Sequence, residues 1–204
     1  LGHDERYEVM DEAVQIMKRV WSERDPVDFE GKHHKIEGAV VLPRPFQTPH
    51  PPFYIGGESD SARDVGAKHA NAYLFWGDTI EKTAEKIEEM RGRARAYGRE
   101  DDLKFGMRLQ IIVRETEDEA WEAADAMIAK TTDEHRARRE GTWAESEAND
   151  RMWELGKVED FMIAPHLWSG ITTVRTGAGV AVVGNAQQVA ETLERVYGQE
   201  HLGV

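Results

Sequence analysis

Tyr7, Met10, Val14, Met17 and Trp21 recur at steps of three and four along the start of the chain. That spacing puts them in one stripe of an amphipathic helix, which Pro26 cannot continue. Helical period then disappears. Residues 27–52 contain Gly31, Gly38, Pro43, Pro45, Pro49, Pro51 and Pro52. This predicts a short hairpin in VDFEGKHHKIEGAVV and an extended, proline-stiffened approach to the next strand.

The following stretch has the clearest pattern. PFYIGG is an apolar run closed by two glycines, ESDSARDVGAKHA reads as helix, and NAYLFWG is a second buried run. Strand, tight turn, helix and strand in so short a length predict a parallel unit, because a parallel return needs a crossover. A second unit follows. Helix 79–97 carries Ile80, Ala84, Ile87, Met90 and Ala94 on one face and stops at Gly98, which can adopt a left-handed cap. Strand 104–113 (KFGMRLQIIV) comes next, then a helix opened by Thr116 with Glu119 three residues on, a capping box.

Residues 131–170 interrupt the rhythm. They are polar, include Trp143, Trp153 and Trp168, and predict no strand; such an interruption in an α/β chain reads as a lid or insertion. The pattern resumes at GVAVVG, with Asn185 and Gln188 as a capping box for helix 186–197. Alternating strands and helices restrict the fold to a parallel α/β barrel or an open doubly wound sheet. Three or four parallel strands are too few to close an eight-stranded barrel.

Composition narrows the function. The chain has 204 residues, enough for one domain with a substantial core, and no apolar run approaches the roughly 18 residues of a membrane span. The start has no signal-peptide features, so a cytoplasmic location is the default expectation. A net charge of −13 suits a nucleic-acid binder poorly; the one basic stretch, His135 to Arg139, reads as a solvated helix face. There is no cysteine, so disulfides, thiolate metal sites and a cysteine nucleophile are excluded. The eight histidines show no metal-ligand spacing, and neither HExxH nor GxSxG occurs.

The candidate chemistry lies elsewhere. GGESDSA, Gly56 to Ala62, falls between a strand end and a helix start. Free amides at a helix N-terminus attract anions, and glycines let a phosphate approach the backbone; a plain glycine turn with Ser59 or Asp60 as N-cap fits equally. Trp76 closes its strand at the end where barrel active sites form, as a cofactor wall or as core packing. Arg108 and Gln110 are two apart in one strand and so share a side. An arginine there needs an internal carboxylate or a polar cavity, since an unpaired buried charge is costly. Arg175 precedes a glycine-rich turn, free to swing onto a ligand or to remain a solvated loop charge.

These residues sit in stretches that resemble a known family. HDERYEVMDEAVQIMKRVW, VDFEGKHHKIEGA, PPFYIGGESDSARDVGAKHANAYLFWGD, FGMRLQIIVRETEDEAW and LWSGITTVRTGAGVAVVG, in that order, are similar to the luciferase-like flavin monooxygenases, within them the alkanesulfonate and sulfone monooxygenase branch. The resemblance implies a TIM (β/α)8 barrel of which residues 1–204 form one domain, incomplete at both ends, with 131–170 as a lid-bearing insertion. It implies reduced FMN as co-substrate, supplied by a separate NAD(P)H-dependent flavin reductase, molecular oxygen activated as a peroxyflavin, and C–S cleavage of a small organosulfur compound. It also implies a homo-oligomer. Carried over residue by residue, Gly57, Glu58 and Ser59 match the flavin-phosphate turn and Trp76 an aromatic of the flavin pocket. Arg108 matches an active-site strand arginine, and Arg175 an arginine of the loop that closes on the sulfonate.

Two departures stand out. Gln110 occupies a position where the alkanesulfonate enzymes usually have histidine, and glutamine is no general base near neutral pH, which moves the expected substrate towards a sulfone or another neutral sulfur compound. The family's opening strands, and its closing strand with a tyrosine-bearing turn, have no counterpart here. A deazaflavin-dependent oxidoreductase of the same superfamily, or a non-catalytic and dimerising α/β module, are the alternatives.

Overall fold

The computed structural model describes residues 1–132, 134, 147–177 and 179–197. The basic stretch from His135 and Trp143 lie outside the described residues. The opening helix is α1 (His3–Ser22). The hairpin is also present, as β1 (Val27–Glu30) and β2 (Lys35–Ala39) paired antiparallel. It is fastened to α1 twice. Val27 packs with Ile16 and Val20, and the Glu12 carboxylate accepts the backbone N–H groups of His33 and His34 at 2.9 and 2.8 Å.

The two parallel units follow as β3 (Tyr54–Gly56), α2 (Asp60–His69), β4 (Ala72–Trp76), α3 (Ile80–Ala96) and β5 (Lys104–Arg108). Their strands form a parallel sheet in the order β3-β4-β5. Alternation along β4 divides its faces. Tyr73 and Phe75 are buried with Val65 of α2 and Ile87, Met90 and Ala94 of α3, while Leu74 between them is exposed. The helices therefore cover one side of the sheet, and the other side is open to a ligand.

Beyond β5 the chain forms β6 (Gln110–Arg114) and α4 (Glu117–Ile128), the latter opened by the expected Thr116–Glu119 box. Polar composition predicts no strand in 131–170. The structure corrects this: after α5 (Glu147–Leu155) a small hairpin forms from β7 (Met162–Ala164) and β8 (Leu167–Trp168). Leu167 and Trp168 are buried, a pair too short to register as periodicity. The chain then enters β9 (Ala181–Asn185) and α6 (Ala186–Tyr197), where Asn185 and Gln188 exchange the two expected capping bonds.

KFGMRLQIIV is likewise not one strand. It breaks at Leu109: β5 pairs with β4, whereas β6 pairs in parallel with β9 in a second sheet of order β6-β9-β8-β7. The alternation that would place Arg108 and Gln110 on one side does not carry across such a break. Among the described residues no helix is long and apolar enough to cross a membrane.

Candidate active site

The open side of the β3-β4-β5 sheet is the floor of a cavity of about 680 Å³. Its wall includes Gly57, Glu58, Ser59, Trp76 and Arg108, so five of the seven site residues read from the sequence meet in one place. Gly57 to Ser59 link β3 to α2. Ser59 has extended backbone angles and its hydroxyl accepts from the Ala62 N–H at 3.4 Å, the N-cap role. Of the two readings of this turn, the structure shows the cap. Gly57 has no space for a side chain, since a Cβ would lie 2.5 Å from that of Ala62.

Glu58 differs from the simplest expectation of a phosphate contact. Its carboxylate lies 3.0 Å from both Arg63 and Lys86 and is almost fully buried. What Glu58 can present to an anion is its backbone N–H. Behind the turn, the Tyr73 hydroxyl donates to the Gly57 carbonyl at 2.8 Å. Burial, reinforced by the charge of Glu58, raises the Tyr73 pKa well above the usual phenol range, so this donor keeps its proton.

Arg108 lies opposite Trp76 in the parallel ladder, on the last rung of β5. It is exposed rather than enclosed within a buried strand, and among the described residues no carboxylate pairs with it. Both alternatives assumed a buried arginine; the structure places Arg108 exposed on the cavity lining. Gln110 does not line the cavity; it begins β6, opposite Ala181, with its N–H donated to Val180 at 2.9 Å. Arg175 is exposed and outside the lining as well, its Nε donating to the Thr176 carbonyl at 3.4 Å. Its loop still borders the site: a Cβ at Gly177, where φ is +89°, would stand 3.9 Å from Trp76 Cζ2.

Sequence reasoning missed part of the wall. His3, Arg6, Tyr7 and Met10 of α1 face the cavity, as do Glu147 and Ala148 of α5. Tyr7 and Met10 belong to the apolar stripe of α1, which is why they read as core. A Cβ at Gly57 would be 3.6 Å from the Tyr7 hydroxyl, so α1 closes directly over the Gly57–Ser59 turn. Arg6 adds a cation to the same cavity lining.

Also missed is a buried ionic chain. Lys86 bridges Glu58 at 3.0 Å and Asp78 at 3.2 Å. Asp78, with no side-chain exposure, accepts from Arg151 Nη2 at 2.6 Å, from Arg151 Nε at 2.9 Å and from the Thr79 N–H at 2.8 Å. Burial alone would raise the Asp78 pKa; the Arg151 hydrogen bonds and the Lys86 charge outweigh it and hold the carboxyl below its usual value. The available signal was a lysine in the buried stripe of α3, one residue before Ile87.

The Gly57–Ser59 turn at a helix N-terminus, Arg6, Trp76 and the strand-end Arg108 thus line one cavity at the end of a parallel sheet where α/β-barrel sites form. The chain belongs to the luciferase-like monooxygenase family, whose model matches residues 1–200. Solved structures agree on the fold. A riboflavin lyase (RcaE) with modified FMN and riboflavin aligns at TM-score 0.71 and 22% identity, over 97% of this chain and 52% of that one. DmoA from Hyphomicrobium sulfonivorans aligns at 0.72 and 22%, over 98% and 50%. A coenzyme F420 dependent tetrahydromethanopterin reductase from Methanopyrus kandleri aligns at 0.60 and 17%, over 94% and 55%. The chain therefore spans about half the length of the solved structures it matches, and its parallel strands β3, β4, β5, β6 and β9 are part of a TIM barrel.

Proposed function

We propose that this chain supplies the flavin-phosphate end and one reactive wall of a reduced-FMN-dependent monooxygenase that cleaves a C–S bond in a small organosulfur compound. The observation that carries the reading is the single cavity shared by the Gly57–Ser59 turn, Arg6, Trp76 and Arg108. The residues fit FMN. The turn amides and Arg6 meet a phosphate dianion, Trp76 offers a flat apolar face to a ring, and a volume near 680 Å³ suits a ligand of that size. FMN, when bound, supplies the oxygen-activating chemistry.

The protein's part is positional and electrostatic. The turn and Arg6 anchor the phosphate, and Trp76 orients the ring. Arg108 sets a fixed positive charge where negative charge develops on substrate oxygens. Arg175, next to the turn that borders Trp76, is placed to act only after its loop moves inward. A separate NAD(P)H-dependent flavin reductase is the source of the reduced cofactor, and a homo-oligomer is the assembly.

The test is oxygenation by the full-length protein with a flavin reductase, using dimethyl sulfone and short alkanesulfonates and following sulfinate or sulfite release. No product from any organosulfur compound rejects the substrate class. A second reading, deazaflavin-dependent hydride transfer, is favoured by the likeness to the F420 dependent reductase. Parallel titration with FMN and the deazaflavin separates the two.

A further inference from the structure

We infer that Asp78, Lys86 and Arg151 are positioning residues that bolt α5 into place as a wall of the cavity and tie its seating to the anion turn. Four charged side chains, Glu58, Lys86, Asp78 and Arg151, link one to the other without interruption, within a chain of seven. Glu89 pairs with Arg63 at 2.8 Å, Arg63 with Glu58 at 3.0 Å, Glu58 with Lys86 at 3.0 Å and Lys86 with Asp78 at 3.2 Å. Asp78 then pairs with Arg151 at 2.6 Å, and Arg151 with Glu154 at 3.1 Å.

The middle of this chain is unlike a surface ion pair. The side chains of Glu58, Lys86 and Asp78 are 9%, 7% and 0% exposed, so water screens them little and each charge depends on its neighbours for solvation. Asp78 stands just past β4, two residues after the Trp76 that lines the cavity, and its fork-like contact with Arg151 fixes both position and angle of the helix. Arg151 lies one turn along from Glu147 and Ala148, the two residues of α5 that reach the cavity. Moving Arg151 moves that wall. On the other side of Lys86 the chain passes through the carboxylate of Glu58, within the turn itself.

Apolar anchoring makes the role separable from folding. Met152 and Leu155 hold α5 in the main core, and Ser169 Oγ donates to the Leu155 carbonyl at 2.6 Å. Removing the Arg151 charge leaves these contacts and loosens the N-terminal turn of α5 selectively. By linkage, a ligand that contacts both the turn and this wall protects α5 and is released faster when α5 is loose.

Hydrogen exchange on the full-length protein tests this without ligand. Arg151→Gln and Asp78→Asn are expected to speed amide exchange in 147–155 about tenfold, with 60–69 unchanged, and Arg151→Lys to recover part of the protection. If Asp78→Asn does not fold, Arg151→Gln, whose side chain is partly exposed, decides alone. Wild-type exchange in 147–155 of Arg151→Gln overturns the inference. A second arm rests on the flavin reading and uses FMN itself: Arg151→Gln is expected to raise the FMN dissociation rate several-fold with association little changed. An unchanged dissociation rate overturns the link to the turn. Should wild-type protein bind no FMN, the functional reading fails, and the ligand-free exchange still decides the seating of α5.

Discussion

The Tyr73 hydroxyl donates its hydrogen bond straight into the Gly57 carbonyl, from the buried side of the turn that faces the cavity. Tyr73→Phe keeps the ring and removes the donor. An unmet carbonyl in a closed site costs about 1–3 kcal/mol, so urea denaturation should show a loss in that range. FMN affinity should fall several-fold, because the turn loses its brace. Wild-type affinity in a variant of reduced stability would mean that Tyr73 supports the fold and not the site.

Gly66 makes room for that ring. A Cβ at this position would lie 2.1 Å from Tyr73 Cε2. Gly66→Ala should therefore lower stability by about 1–3 kcal/mol or more and displace the phenol from Gly57. The check is a thermal melt beside an FMN titration; an unchanged melting temperature would show that the α2–β4 contact gives way without strain.

His69 predicts an acid sensitivity. It is buried, with Nε2 2.8 Å from Asp11 Oδ1 and Nδ1 3.3 Å from Lys18 Nζ, an arrangement that suits the neutral ring donating through Nε2. Burial lowers its pKa below 6.5, helped by the charges of Lys18 and Lys68 and opposed by Asp11. The unfolded chain thus binds the proton more readily. Stability is complete above pH 6.5 and declines as pH falls from there towards the folded pKa. Melting temperature should drop between pH 7.5 and pH 5.5, on the scale of one ordinary titration, and His69→Gln should flatten the drop. An equally steep drop in His69→Gln would assign it elsewhere.

Arg6 and Arg108 line the same cavity from different elements and should separate by phenotype. Arg6→Ala should weaken FMN binding about tenfold, the loss of one charge-assisted phosphate contact, and reduce its salt dependence. Arg108→Ala should leave FMN affinity nearly intact and lower turnover of the full-length protein by about a hundredfold or more. Steady-state kinetics with a flavin titration distinguish them. Unchanged turnover in Arg108→Ala removes that residue from the mechanism.

The parts legible in the sequence were those governed by local rules. Thr116 with Glu119, Asn185 with Gln188, and Gly98 at φ +65° do what capping chemistry dictates, because each involves neighbours a few residues apart. The GGESD turn was legible for the same reason. Long-range choices were not. Nothing within KFGMRLQIIV announces that β5 and β6 take different partners, since the change is imposed by Trp76 on one side and Ala181 on the other. Tyr7 carried the signature of a core residue while serving a cavity wall. Lys86 and Asp78 are 8 positions apart in sequence, and their tie to Arg151 spans 73 more from Asp78, beyond any spacing rule.

The interruption at Leu109 has a mechanical consequence. On one side of it Gly77 donates to Arg108 at 3.1 Å, and on the other Gln110 donates to Val180 at 2.9 Å. A strand gripped by one neighbour along its whole length can slide by a residue and regain most of its bonds. A strand gripped by different neighbours in its two halves must break both ladders to slide at all. The segment behaves as a rod clamped at two stations, with Arg108 at the edge of the first clamp. The backbone of Arg108 is thus held at a fixed station on the cavity wall, although its side chain is exposed.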